Sequence, residues 1–125
     1  MIPEEIRLEI LARLAESGNI RKVIVFGSYA GGTSGPESDI DLLVVTDEDS
    51  MPRSFDENME CYQRVSSVLR EIKKRIPIDL IVHTRMMHEE FIRQGSMFAK
   101  EITERGEVLY EKAHRGIMSQ PAQTS

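Results

Sequence analysis

The stretch that decides the fold spans residues 23–46 and reads V-I-V-F-G-S-Y-A-G-G-T-S-G-P-E-S-D-I-D-L-L-V-V-T. Two short apolar runs, at residues 23–26 and 42–45, are joined by a glycine-rich segment. Both runs are rich in β-branched residues and bounded by turn formers, which predicts two buried strands. Because successive side chains of a strand point to opposite faces, we expect Asp39 and Asp41 to share one face.

The two aspartates and the turn before them indicate chemistry on phosphates. Two carboxylates that lie close together repel each other and lose hydration unless a cation sits between them. Mg²⁺ prefers such oxygen ligands and keeps coordination positions open for phosphate. Gly27 lets the backbone approach a ligand closely, and a helix that begins at Ser28 would direct free N–H groups at a phosphate. The residues therefore predict a site for a metal ion and a nucleoside triphosphate.

These residues also carry a family resemblance. The sequence G-S-Y-A-G-G at residues 27–32, followed by S-D-I-D-L at residues 38–42, resembles the G-S-x-A-x-G…S-D-x-D-L signature of the DNA polymerase β-like nucleotidyltransferases. The short chain is most similar to the minimal nucleotidyltransferases (MNT) that are paired with HEPN proteins in toxin–antitoxin modules. Many members have arginine where this chain has Gly31, a departure that concerns substrate handling more than metal binding. A Walker A loop is excluded because its lysine is missing, and the plain alternative is an ordinary glycine-rich turn.

The resemblance implies a small α/β (α+β) nucleotidyltransferase fold, with a mixed β-sheet, helices packed on one face and the catalytic residues on the other. It implies catalytic and metal-binding roles for Asp39, Asp41 and Asp79, and nucleotide binding through Gly27 and Ser28. The expected cofactor is Mg²⁺, as two ions that Mn²⁺ could replace, with ATP as substrate. The implied reaction transfers AMP from ATP to a tyrosine hydroxyl of a HEPN-type RNase toxin, with this chain as the antitoxin.

Asp79 is the one acid within the apolar run at residues 78–82. Taken alone, such a residue is best interpreted as a buried acid satisfied by backbone donors or an arginine. The family has a third carboxylate on the strand that follows the long helix, and Asp79 matches that position. A neighbouring strand could place it beside Asp39 and Asp41.

Size and charge limit the classes of function. A chain of 125 residues, 40% hydrophobic and 30% charged, fits one soluble globular domain, which we place at residues 1–110 before a polar, disordered tail at 111–125. A net charge of −5 argues against broad nucleic-acid binding and favours a small-molecule or protein substrate. The single Cys61, the absence of a signal peptide and the absence of a membrane-length apolar run predict a cytoplasmic location.

The remaining pattern predicts helices at residues 3–17, 54–75, 86–93 and 96–105, and a final strand at 107–110 on a sheet edge. The acidic residues at 47–49 are interpreted as a solvated loop because nothing in the sequence fixes their geometry. Five apolar residues of the last two helices could supply packing or form a partner-binding face: Phe91, Ile92, Met97, Phe98 and Ile102.

Two other functions stay open at this point. The chain could be a non-catalytic antitoxin that neutralises its partner by binding alone. It could also be a nucleotidyltransferase acting on a small molecule, in which case a partner subunit would have to supply the acceptor site. The sequence is compatible with either a homo-oligomer or a hetero-oligomer.

Overall fold

The computed structural model describes residues 3–27, 39–48 and 55–112. The loop that contains Ser28 and Gly31, and all but the first two residues of the predicted tail at 111–125, lie outside these ranges. Within the described ranges, the elements in chain order are α1 (Glu4–Ser17), β1 (Ile20–Phe26), β2 (Ile40–Thr46), α2 (Phe55–Val68), α3 (Arg70–Lys73), β3 (Ile78–His83), α4 (Arg85–Gln94), α5 (Met97–Arg105) and β4 (Glu107–Glu111). The predicted mixed α/β class is confirmed.

The four strands form one mixed sheet in the order β3-β2-β1-β4. β1 is antiparallel to both β2 and β4, whereas β2 and β3 are parallel and are connected across the α2 side of the sheet. The prediction that β4 lies at an edge is confirmed. β1 begins earlier than predicted because both of its neighbours hold its first residues: the Asp47 N–H donates to the Asn19 carbonyl at 2.6 Å, and the Lys112 N–H donates to the Arg21 carbonyl at 2.7 Å.

Helices cover the two faces of the sheet to different extents. On one face, α1 and α2 pack on alternate strand residues and form the larger core, which includes Ile10, Leu14, Val23, Val25, Leu42, Val44, Val65 and Leu69. This is the helical face that the sequence predicted. On the other face, α4 and α5 add a second, smaller cluster of Ile24, Phe26, Leu43, Val45 and Ile102, with Phe91 packed against it. The face expected to be free of helices is therefore covered in part.

The acidic segment after β2 is an anchor for the sheet, and the prediction of a solvated loop at Asp47 and Glu48 was wrong. The Asp47 carboxylate accepts a hydrogen bond from Lys112 Nζ at 2.5 Å and pairs with the Arg21 guanidinium at 3.4 Å. The Glu48 carboxylate accepts from Arg64 at 2.8 Å. Asp49 lies outside the described residues. These cations are distant in sequence, so only the folded chain could reveal their pairing.

None of the helices in the described ranges combines the length and the apolar character needed to cross a membrane.

Replacing Asp47 tests this anchor. Asp47→Asn should lower the free energy of unfolding by about 1 kcal/mol at pH 7, because it weakens two charge-assisted contacts that join β1, β2 and the end of β4. The matched control is Glu71→Gln, which removes an exposed helical pair with Lys74 and should cost less than about 0.5 kcal/mol. Chemical denaturation of the three proteins measures both values. Equal losses would contradict an anchoring role.

The stabilisation by Asp47 has a defined pH dependence. The hydrogen bond from Lys112 and the nearby positive charges of Lys112 and Arg21 hold the pKa of Asp47 below its ordinary value. Because the folded-state pKa lies below the unfolded-state one, the stabilisation is present above the unfolded-state pKa and is lost as the pH falls through the folded-state value. The difference between wild type and Asp47→Asn should therefore shrink in acid.

Candidate functional site

The candidate site is built where β1, β2 and β3 meet at one end of the sheet. Asp41 on β2 lies directly opposite Asp79 on β3 in the parallel register. On its other side, Asp41 lies opposite Phe26, the last residue of β1. Residues directly opposite one another on neighbouring strands point to the same face of a sheet. The structure thus brings two of the predicted carboxylates side by side and places the Gly27 turn next to them.

The electrostatics of this site are those of an uncompensated acidic pair. Partial burial raises the pKa of Asp41, and the negative charge of Asp79, a hydrogen bond shared with Asp79 and the negative charge of Asp39 raise it further. In the described part of the chain, no Lys, Arg or His forms a salt bridge with any of the three. The fold therefore holds like charges together without supplying a cation of its own from these ranges.

Gly27 is in direct contact with this pair. Its φ of 76° is in the left-handed region, and a Cβ atom built on it would lie only 2.1 Å from Asp41 Oδ2. Both the backbone conformation and the space beside the carboxylate therefore require glycine. The predicted phosphate-binding partner of this turn, Ser28, lies outside the described residues.

Asp39 is placed less firmly than the other two. It precedes the first residue of β2 and is exposed, so strand alternation does not fix its direction. Among residues 3–27, 39–48 and 55–112, no three His, Cys, Asp or Glu side chains form a ready-made metal cluster. The donor set still fits Mg²⁺, since this ion commonly takes one or two carboxylates and completes its shell with water and substrate phosphates. Burial and the negative charge of Asp79 raise the pKa of Asp41, and a bound cation would lower it.

An aromatic wall borders the acidic pair, and the sequence did not predict its position. The Phe98 ring meets the Phe26 ring edge-on, with centroids 5.5 Å apart, and Phe91 lies 5.9 Å from Phe98. Because Phe26 is the cross-strand neighbour of Asp41, the wall begins one residue away from the carboxylates. The available sequence signal was the apolar pair Met97-Phe98 at the start of a helix, which cannot be told from ordinary packing residues without the fold.

The two histidines near β3 form a separate, structural pair. His83 Nδ1 and His88 Nδ1 lie 3.3 Å apart, and both rings contact Phe91. Burial lowers the pKa of His83, while burial and the neighbouring His83 and Lys22 lower the pKa of His88 to about 4. Both rings are therefore neutral at pH 7. His83 is four residues beyond Asp79 along β3, which is roughly 13 Å along the strand.

The repulsion predicts a stabilising substitution. Asp41→Asn should raise the melting temperature of the metal-free protein at pH 7 by on the order of a few degrees, because it removes the central charge of the cluster. The folded-state pKa of Asp41 is raised, so the destabilisation is complete above that pKa and fades as the pH falls towards the unfolded-state value. Thermal unfolding at pH 7 and at pH 4 measures this gain and its loss. A lower melting temperature at pH 7 would show that the carboxylate makes stabilising contacts.

The contact between Gly27 and Asp41 supplies a second test. Gly27→Ala should lower stability by about 1–3 kcal/mol through backbone strain and should also displace the Asp41 carboxylate. Gly18→Ala is the matched control, since Gly18 has a similar φ of 71° but its added Cβ would meet nothing within 4 Å. Stabilisation by ATP with Mg²⁺ should be retained in Gly18→Ala and lost in Gly27→Ala. Loss in both variants would mean that backbone strain alone, and not the contact between residue 27 and Asp41, removes the stabilisation.

Comparison with known proteins agrees with this geometry. The family model described as polymerase beta, nucleotidyltransferase matches residues 9–115. A Methanocaldococcus jannaschii protein that is named a protein adenylyltransferase is 34% identical over 93 residues, which cover 74% of this chain and 81% of the relative.

Solved structures share the fold at lower identity. A crystal structure of a protein from Sulfolobus solfataricus, named a nucleotidyltransferase, aligns with a TM-score of 0.57 and 22% identity over 86% of this chain and 79% of its own. A crystal structure of a toxin–antitoxin with AMP-PNP aligns with a TM-score of 0.53 and 18% identity over 85% of this chain and 73% of its own. With a family match over most of its length and a relative of 34% identity, the chain belongs to the polymerase β-type nucleotidyltransferases and is an enzyme of that family.

Proposed function

We propose that this chain transfers AMP from ATP to a hydroxyl of a partner protein, a tyrosine of a HEPN-type RNase toxin, and thereby acts as its antitoxin. The observation that carries the proposal is the placement of Asp41 directly opposite Asp79, with the Gly27 turn packed against Asp41. This pairing keeps acidic oxygens beside a glycine turn, which is what nucleotidyl transfer requires of a metal and phosphate site.

The roles of the residues follow from their positions. When bound, Mg²⁺ or Mn²⁺ would neutralise phosphate charge and orient the entering and leaving oxygens. Asp39 and Asp41 would hold the metal ions against the triphosphate, and Asp79 would complete the metal site on the acceptor side. Gly27 and Ser28 would bind the β- and γ-phosphates through backbone N–H groups and the hydroxyl.

The proposed transfer forms one bond to the α-phosphorus of ATP and breaks another. The acceptor oxygen forms a bond to the α-phosphorus of ATP, the bond from that phosphorus to the bridging oxygen breaks, and pyrophosphate leaves. The proton of the acceptor hydroxyl passes to Asp79, which is exposed and therefore open to an incoming group. Asp41 is the less exposed member of the pair, which suits a fixed metal ligand.

Two comparisons support a protein acceptor and a toxin partner. The relative of 34% identity is named a protein adenylyltransferase, and one structure with the same fold is a toxin–antitoxin with AMP-PNP. ATP as the nucleotide and the cytoplasm as the location are parts of the same proposal.

The transfer predicts a covalent mark on the partner. The acceptor to use is the HEPN protein with an R-x₄-H motif encoded beside this chain, and the lack of such a reading frame would contradict the toxin assignment. With ATP and Mg²⁺, the partner should gain about 329 Da for each AMP, the mass of AMP less water, because the two-metal reaction requires both components. Intact mass spectrometry, followed by an RNase assay of the same samples, measures the mark and its effect.

The double variant Asp39→Asn/Asp41→Asn separates catalysis from binding. It should bind the partner and leave it unmodified and active as an RNase. Neutralisation equal to that of wild type, at the same concentration and without a gain in mass, would mean that this is a non-catalytic antitoxin. Modification of a small hydroxyl compound in the presence of an unmodified partner would favour the small-molecule function.

A further inference from the structure

We propose that the exposed apolar pair at the start of α5, here called the Met97–Phe98 patch, is the surface on which the acceptor protein docks beside the catalytic carboxylates. The inference rests on the proposed transfer to a protein and names the part of this chain that receives it. The occupant is an apolar part of the acceptor's surface next to the hydroxyl that is modified.

The position of the patch is the first argument. Phe98 contacts Phe26 with ring centroids 5.5 Å apart, and Phe26 lies opposite Asp41 in the sheet. Directly opposed residues of antiparallel strands have Cβ atoms about 5 Å apart. Phe98 is therefore linked to Asp41 through the ring of Phe26. An acceptor hydroxyl that reaches Asp41 and Asp79 brings its surrounding surface against this patch.

The exposure and chemistry of the two side chains are the second argument. Met97 is 88% exposed, the highest value among the exposed large apolar side chains of the described residues, and Phe98 is 45% exposed. Phe98 is held in place by Phe26 and Phe91, so its free side is a preorganised aromatic surface. Met97 is unbranched and adaptable, as suits a site that packs against another protein. Rigid aromatic anchors beside flexible methionines are typical of binding surfaces.

The local backbone fixes this presentation. Gly95 has a φ of 62° and ends α4, and the Ser96 hydroxyl caps α5 by accepting from the Ala99 N–H at 3.1 Å. Met97 therefore lies in the first position of a capped helix and points away from the core that holds Ala99 and Ile102. The exposure of Met97 therefore follows from this turn and the cap of α5.

A protein acceptor fits the patch better than the other occupants. In the described ranges, α4 and α5 are the elements that cover the catalytic face, and they stop short of Asp79, which is exposed. We expect the acceptor to be held by surface contacts, and this patch is an apolar surface that adjoins Asp41 through Phe26. A nucleobase and a second copy of this chain are outcomes that the experiment distinguishes.

The test is a steady-state titration of the neighbouring HEPN protein at saturating ATP and Mg²⁺. Met97→Glu should raise KM for the HEPN protein by about tenfold and leave the maximal rate and the KM for ATP at wild-type values. Glutamate in the first turn suits the helix dipole, so this variant should stay folded. Leu8→Glu is the matched control: it places the same charge at a 53% exposed leucine on α1, against the other face of the sheet, and should change neither constant.

Phe98→Ala tests the aromatic member of the patch, which Phe26 and Phe91 hold in place. It should also raise KM for the HEPN protein, with its melting temperature measured to correct for lost packing against Phe26 and Phe91. Unchanged KM values in both variants, with wild type active, would overturn this inference and leave the proposed transfer standing. A raised KM for ATP would assign the patch to the nucleotide, and a loss of self-association would assign it to a second copy; either result overturns the inference.

Failure of the proposed transfer has a different signature. If wild type binds the HEPN protein without adding mass, then the catalytic proposal fails, and the docking surface is judged by binding alone. Calorimetric Kd values for wild type, Met97→Glu and Leu8→Glu then decide it. Selective weakening by Met97→Glu supports the surface, and equal affinities overturn it.

Discussion

The site depends on one constraint, which is that the parallel register of β2 and β3 holds Asp41 opposite Asp79. The carboxylates of two directly opposed residues repel each other, so other contacts must fix the register of the strands. β2 supplies them because Leu42, Leu43, Val44 and Val45 are all buried, and alternate members fill the two cores. A slip of one residue would exchange the two sets between the cores, where they do not fit their neighbours, and would turn Asp41 to the opposite face. The hydrophobic core therefore maintains the charge repulsion on which the site is built.

The far end of β2 shows how the strand is held in place. Asp47 pairs with cations from β1 and from the residue after β4, and Glu48 pairs with Arg64 on α2. The backbone carbonyl of Glu48 also accepts from the N–H of Arg85 at the start of α4. Strand and helices on both faces are thus tied together at the end opposite the carboxylates. In the described residues, the end of the sheet that carries Asp41 and Asp79 has no such ion pairs.

The partial helical cover on the second face of the sheet determines how exposed Asp41 and Asp79 are. A sheet covered on both faces would bury Asp41 and Asp79, whereas an open sheet would leave the carboxylates in bulk solvent. Here α4 and α5 cover the half with Leu43 and Val45 and end at the aromatic wall of Phe26 and Phe98. The wall gives the site one apolar border and one open side.

The sequence by itself determined the class of fold and predicted the glycine turn and the acidic residues of the site, because strand periodicity and motif spacing are local properties. It placed the strands and helices to within a few residues and supported the family assignment that the comparisons then confirmed. The structure decided what depends on distant partners: that Asp41 rather than Asp39 is the close neighbour of Asp79, that Asp47 and Glu48 are anchors, and that Phe98 borders the site. Side-chain pairs that are remote in sequence are set by strand register and helix packing, and a single sequence without its fold does not contain these distances.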